Sequence, residues 1–250
     1  MSLKESCVIV FVKYPDPGEV KQRLARQIGS TAAAQLYQSM VKDQLHTLQQ
    51  TQLPLYLLFT PSHEEENVSQ WLGSQYSYIP QQGENLGQRM HHAFTSLFQH
   101  GYARVILLGS DIPDVPFEYL TQADHSLALH DVVIGPAVDG GYYLIGFNKH
   151  SYHSSVFDDI SWGLDTVLSQ TRDRIDKLHL SSHQVPVWYD IDTIEDVYEY
   201  IKRNTHQKRT SLHTMSFLRE HQLELSFPAE IQKLLTEQPV SSSLPTGDST

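Results

Sequence analysis

The 250-residue chain is 40% hydrophobic, and its 18 Lys and Arg face 29 Asp and Glu, giving a net charge of −11. That content supports one substantial core, while the acidic balance argues against a general nucleic-acid or anionic-membrane surface, so an anionic ligand must meet a local cluster of cations. A lone Cys7 excludes an internal disulfide framework, and no apolar run reaches the roughly 20 residues of a membrane helix.

The opening MSLKES lacks the architecture of a signal peptide, so the expected location is the cytoplasm. CVIVFV at 7–12 reads as a buried strand, followed by a loop carrying Pro15, Pro17 and Gly18. Ser30 or Thr31 is placed to cap a helix on which Leu36, Met40, Val41, Leu45 and Leu48 share one face. LPLYLLF at 53–59 is a second strand, Ser62 and Glu65 have capping-box spacing for a short helix, and YSYIP offers a weak third strand. Leu86, Met90, Phe94, Leu97 and Phe98 mark another amphipathic helix.

RVILLG at 104–109 is the clearest strand, followed by SDIP, a helix around 116–129, the strand DVVIG, the turn PAVDGG and the strand YYLIGF. Beyond residue 150 the pattern predicts a helix over 161–178, a strand over QVPVWYDI and a capped helix over TIEDVYEYIKRN. Strand and helix alternating from the N-terminus predict an α/β three-layer sandwich with a mostly parallel mixed sheet. One domain is expected over residues 1–237, and the Ser- and Pro-rich tail at 238–250 is expected to be disordered.

Four constellations carry candidate chemistry. In VKYPDPGEVKQRLARQIG, Lys13, Lys21 and Arg23 sit after the first strand, where ligands of open α/β sheets bind. Arg as a bidentate fork and Lys as a point charge suit a diphosphate; otherwise the segment is a solvated basic loop. It matches neither GxxxxGK[ST] nor GxGxxG, which leaves a P-loop NTPase or Rossmann dehydrogenase unsupported. In RVILLGSDIPDVP, Asp111 ends a strand and either meets Mg²⁺ or Mn²⁺ or caps the following helix; Asp114 reads as a cap. Asp139 in GPAVDGGYYLIGF is a hairpin-turn residue or a ligand-side carboxylate. In WYDIDTIEDV, Asp190 and Asp192 flank Ile191 at a strand end, as a second metal carboxylate or as the acidic first turn of a helix. The 14 histidines show no HExxH or Cys-His zinc spacing, so metal through histidine is disfavoured.

Taken together, KYPDPGEVKQRL, NLGQRM, GSDIP, GPAVDGGYYLIGF, ISWGLDTV and DIDTIEDV resemble a bacterial family of GT-A-like nucleotide-diphospho-sugar transferases. Some of its members are associated by gene neighbourhood with radical SAM enzymes and arsenosugar biosynthesis. The resemblance spans about residues 7–200 and implies a GT-A-like fold with a first loop that wraps a nucleotide. By position it implies nucleotide-binding roles for Lys13, Gly18, Lys21, Arg23, Leu86, Gly87 and Arg89, and a metal site at Asp111; Asp192, from its own strand-end position, remains the candidate second carboxylate. Asp139, Gly140, Gly141 and Tyr142 would line the acceptor side and Trp162 would close it; if the transfer inverts the sugar centre, Asp139 is the candidate catalytic base, and for a retaining reaction the sequence names no nucleophile. This chain departs from the family at Gln22, where a threonine is usual, and at Gly163, where serine is common. The expected activity is metal-dependent glycosyl transfer from a nucleotide-diphospho-sugar to a small-molecule acceptor, using Mg²⁺ or Mn²⁺. The alternatives are nucleotidyl transfer from an NTP to a phosphorylated small molecule, and nucleotide binding without turnover. Neither nucleic acid nor membrane is an expected partner.

Overall fold

In the computed structural model, which describes residues 4–206, 212–222 and 225–236, the apolar run at 7–12 forms most of strand β1 (Lys4–Lys13). The other strands are β2 (Leu55–Thr60), β3 (Ser77–Pro80), β4 (Tyr102–Leu108), β5 (Val132–Pro136), β6 (Tyr142–Asn148) and β7 (Ser182–Gln184). They form one sheet in the order β3-β2-β1-β4-β6-β5-β7. β6 runs antiparallel to both β4 and β5, and the remaining neighbours pair in parallel. The mostly parallel mixed sheet expected from the alternating pattern is therefore present. The tail over 238–250 lies outside the described residues.

Alternation along β1 builds the layers, because successive side chains point to opposite faces of a sheet. Val8, Val10 and Val12 join Leu57, Phe59, Ile106 and Leu108 on one face. That face is covered by α2 (Ser30–Gln49), α3 (Glu65–Leu72) and α5 (Phe117–Leu127) through Leu45, Leu48, Val68 and Leu120. Cys7 and Ile9 join Val105, Leu107 and Phe147 on the other, under α4 (Leu86–Gln99) and α6 (Val167–Lys177), which contribute Met90, Phe94, Leu97 and Ile175. A second apolar stripe on α2, with Leu36 and Met40, packs against α1 (Gln22–Ile28), α7 (Ile194–His206), α8 (Leu212–Glu220) and α9 (Ala229–Thr236). Buried Asp43 of α2 accepts from the backbone of His213 at 2.9 Å and Thr214 at 2.8 Å, capping α8 across the chain.

Several local expectations change. Ser30 does not cap; Gly29 ends α1 at φ 84 and α2 starts directly behind it. The Ser62–Glu65 capping box is replaced by a 3₁₀ turn over Ser62–Glu64. The helix expected over 161–178 starts only at Val167, because Gly163 takes φ 85 and the Gln170 side chain accepts from Ser161 N at 2.7 Å, folding the segment into turns. QVPVWYDI contributes little to the sheet. β7 ends at Gln184, Pro186 has no N–H to continue a ladder, and contact resumes as a lone bridge between Trp188 and Ala137. The capped start of α7 is present, with Asp196 Oδ2 accepting from Thr193 N at 2.8 Å and Asp196 N donating to Thr193 Oγ1 at 3.3 Å.

Candidate nucleotide and metal site

The loop after β1 is shaped by its own backbone. Glu19 N donates to Asp16 O at 3.0 Å, with Pro17 second and Gly18 third at φ 89, the pattern of a type II turn. Lys13 Nζ closes the loop on Glu19 O at 2.6 Å and Glu19 Oε2 at 3.1 Å. Gln22, the departure from the family pattern, braces it from behind by donating to Gly18 O at 3.1 Å. The Tyr37 hydroxyl ties the end of β1 to the end of β4, accepting from Lys13 N at 3.1 Å and meeting Ser110 Oγ at 2.8 Å. Burial and the charge of Asp111 push its phenol up to about 12, so it stays a neutral hydrogen-bonding group.

Lys21 sits at the centre of the site. Its backbone is left-handed (φ 48, ψ 46), an uncommon conformation for a side-chain-bearing residue that costs on the order of 1–3 kcal/mol. Its side chain is only 4% exposed, and its ammonium lies 2.5 Å from Asp111 Oδ1, 2.8 Å from Asp192 Oδ1 and 2.5 Å from Ile191 O. Burial opposes the charge, but Asp111 and Asp192 overcome it and hold the ammonium above the usual lysine range. Ile191 N donates to Asp111 O at 3.0 Å, locking the two carboxylate-bearing segments together. Asp111 is therefore not a helix cap; α5 begins after Pro116 without a side-chain cap.

These groups line a cleft of about 500 Å³ at the carboxyl end of β1 and β4. Lys13, Lys21, exposed Arg23, Asp111 and Asp192 line it together with Phe11, Thr60 and Gln81. Gln81 Nε2 is held by Leu58 O at 2.7 Å, which fixes the amide's orientation. A smaller recess of about 110 Å³ shares Asp111 and adds Asp139, Gly141, Tyr142 and Asp190. Asp139 forms the turn between β5 and β6, its Oδ1 accepting from Gly141 N at 2.8 Å. Gly140 takes φ 90, and a Cβ there would lie 2.2 Å from Asp165 O, so only glycine fits. Burial, followed by the charges of Asp139, Asp192 and Asp111, raises Asp190 from 3.8 to about 6.

The remaining candidates lie elsewhere. Gly87 and Trp162 line a separate recess of about 430 Å³ with His91 and Phe157, and a Cβ on Gly87 would come 3.0 Å from the indole. Leu86 is exposed, and Arg89 Nε is spent on Gly83 O at 3.1 Å. None of these residues is among those lining the cleft, where the resemblance implies nucleotide roles for Leu86, Gly87 and Arg89. Asp114 is a correction of another kind. It is buried and accepts from Arg203 Nε at 2.8 Å, Asn204 Nδ2 at 2.8 Å and Trp188 Nε1 at 3.2 Å, anchoring α7 rather than capping α5. Sequence reasoning passed over Tyr37, Ser110 and Gln81 as site residues. Asp190 was visible beside Asp192, and the missing signal was the proximity of Asp139, 51 positions earlier in the chain.

Among the described residues, no three His, Cys, Asp or Glu side chains are arranged as a ready-made metal cage. What Asp111 and Asp192 offer is a convergent pair of carboxylate oxygens facing a cleft that also carries cations. Mg²⁺ and Mn²⁺ accept such a donor set, taking one or two carboxylates and filling the other positions with water and substrate phosphate.

The sheet order and the site define an α/β fold of the nucleotide-diphospho-sugar transferase type. The chain belongs to the family described as uncharacterized protein conserved in bacteria (DUF2064), whose profile matches residues 43–164. It is similar to a solved structure described as a "putative nucleotide-diphospho-sugar transferase" from Desulfovibrio desulfuricans G20, with 41% identity, TM-score 0.83, and coverage of 88% of this chain and 96% of that one. The inositol-1-phosphate CTP transferase from T. maritima shares the fold at 15% identity and TM-score 0.52, covering 82% and 97%. A manganese complex of Rv0371C from Mycobacterium tuberculosis H37Rv does so at 13% identity and TM-score 0.50, covering 80% and 98%. No curated protein matches the chain. Among the described residues, no helix is long and apolar enough to cross a membrane.

Proposed function

We propose that the protein is a cytoplasmic, metal-dependent glycosyltransferase that moves a sugar from a nucleotide-diphospho-sugar to the hydroxyl of an uncharged small molecule. The observation that carries this reading is the acidic recess abutting the nucleotide cleft at their shared residue, Asp111. Asp139 and Asp190 would repel an anionic acceptor such as a sugar phosphate, and they suit a neutral alcohol that must lose a proton.

Within the one cleft, Phe11, Thr60 and Gln81 would serve base and ribose, and Lys13, Lys21 and Arg23 would serve the diphosphate. Asp111 and Asp192 would hold the divalent ion, which offsets the charge on the departing nucleoside diphosphate. The manganese complex of the distant Mycobacterium tuberculosis relative supports that choice of ion. Asp139 accepts the proton of the acceptor hydroxyl as its oxygen attacks the sugar's anomeric carbon. The bond from that carbon to the diphosphate oxygen breaks, giving an inverted product. Gly141 and Tyr142 line the recess beside Asp139, and Gly140 lets the turn that carries Asp139 pack against Asp165.

Nucleotidyl transfer is the second reading, favoured by the three cleft cations, which would also serve a triphosphate, and by the T. maritima CTP transferase's likeness in fold. Calorimetry with Mn²⁺ separates the two: UDP or GDP binding at least as tightly as the triphosphates, without pyrophosphate release, is expected. Asp111→Ala is expected to abolish Mn²⁺-dependent nucleotide binding while unfolding stays cooperative, since the side chain is 42% exposed. Preserved Mn²⁺-dependent binding in that variant would show that the metal lies elsewhere.

A further inference from the structure

An ammonium group has three hydrogens to donate, and Lys21 spends all three on Asp111, Asp192 and the carbonyl of Ile191. It therefore has no donor left for a phosphate until it releases one of these partners. The same atom also occupies the point on which Oδ1 of Asp111 and Oδ1 of Asp192 converge. A divalent ion bound by both oxygens at about 2.1 Å must take that position, and two cations cannot share it. We propose that Lys21 is a placeholder for the divalent ion: its ammonium fills the site between Asp111 and Asp192 until metal and nucleotide arrive, then swings onto the diphosphate. This rests on the reading that Asp111 and Asp192 hold the metal.

Three observations distinguish this arrangement from an ordinary ion pair. Surface pairs are open to water, whereas the Lys21 side chain is 4% exposed while its two carboxylates are 42% and 40% exposed, so the lysine is inside and the oxygens are accessible to an incoming ion. The pairing is held by a left-handed backbone at φ 48, a conformation that is costly for a side-chain-bearing residue and is kept here by the three contacts of the ammonium. Asp111 lines both the cleft and the recess that Asp139 and Asp190 line, and Lys21 sits buried between Asp111 and Asp192 on the inner side of that acidic group. Arg23 lines the same cleft; it is exposed and can remain on the phosphates during the exchange. The consequence is reciprocal coupling. Metal alone competes with the ammonium and binds weakly, whereas nucleotide gives the displaced ammonium a new partner, so each ligand strengthens the other.

Mn²⁺ binding to wild type and Lys21→Gln, measured by electron paramagnetic resonance with and without GDP or UDP, tests the exchange. Glutamine removes the charge and keeps two amide donors on a side chain one bond shorter, and a thermal melt verifies the fold. The variant is expected to bind Mn²⁺ alone on the order of 10-fold tighter than wild type, and to lose the tightening that nucleotide produces in wild type. Equal or weaker Mn²⁺ binding in the variant, with Mn²⁺-dependent nucleotide binding intact in wild type, overturns the placeholder role and leaves the functional reading standing. Absence of Mn²⁺ binding in both proteins, with and without nucleotide, overturns both. A second measurement uses wild type only: saturating Mg²⁺ is expected to speed reductive methylation of Lys21, read by peptide mass spectrometry, and an unchanged rate counts against the exchange.

Discussion

Replacing Asp190 with asparagine should make the protein more stable near neutral pH and no more stable in acid. In the fold Asp190 titrates at about 6 instead of 3.8, because it is partly buried and faces the charges of Asp139, Asp192 and Asp111. A carboxyl whose folded value is raised binds its proton more tightly in the folded state, so its contribution to stability falls as pH climbs through about 4 to 6. A displacement of that size corresponds to on the order of 3 kcal/mol, and since Asp190 is partly open to solvent, roughly half survives screening. The expected gain for Asp190→Asn at pH 7.5 is thus about 1.5 kcal/mol, or roughly 3–6 °C in Tm for a chain of this size. Melting both proteins at pH 7.5 and pH 4 by differential scanning calorimetry provides the assay. A gain that is absent at pH 7.5, or as large at pH 4, would refute the account of charge crowding in the recess.

Two further substitutions probe the scaffold. Asp114→Ala leaves Arg203 and Asn204 without their shared partner inside the protein, and about 3–5 kcal/mol should be lost in denaturant titrations, with unfolding still cooperative. A loss below about 1 kcal/mol would mean that Arg203 finds solvent instead. Gly140→Ala sets a Cβ against Asp165 O at φ 90 and should cost on the order of 2 kcal/mol, with nucleotide affinity changed less than acceptor-dependent turnover.

The layers of the fold were legible because β1, β2 and β4 are short β-branched or leucine-rich runs, each followed by a helical period of three and four. The C-terminal region was harder to read. α8 has its cap supplied by Asp43, some 170 positions away, and the segment at 185–191 follows β5 without pairing regularly, since Pro186 interrupts it. Lys13, Lys21 and Arg23, noticed as local positive charge in an acidic chain, do share one cleft with the strand-end carboxylates Asp111 and Asp192. What sequence could not convey is who satisfies whom. Lys21 presents as a phosphate ligand in one dimension and as a saturated internal counterion in three, and Asp114 presents as a cap until Arg203 folds back over it. Long-range partners of this kind leave no local periodicity.

The lock between Ile191 N and Asp111 O has a consequence for timing. The two carboxylates it joins are 81 residues apart, and the second sits just ahead of α7, which the Asp114–Arg203 pair fastens in place. During synthesis the sheet strands through β6 emerge first, carrying Asp111 and Lys21 with no Asp192 to complete the clamp. On the proposed reading, the nascent protein would therefore have no finished cation site until α7 has left the ribosome and docked, and nucleotide binding would mark a chain folded at least through α7.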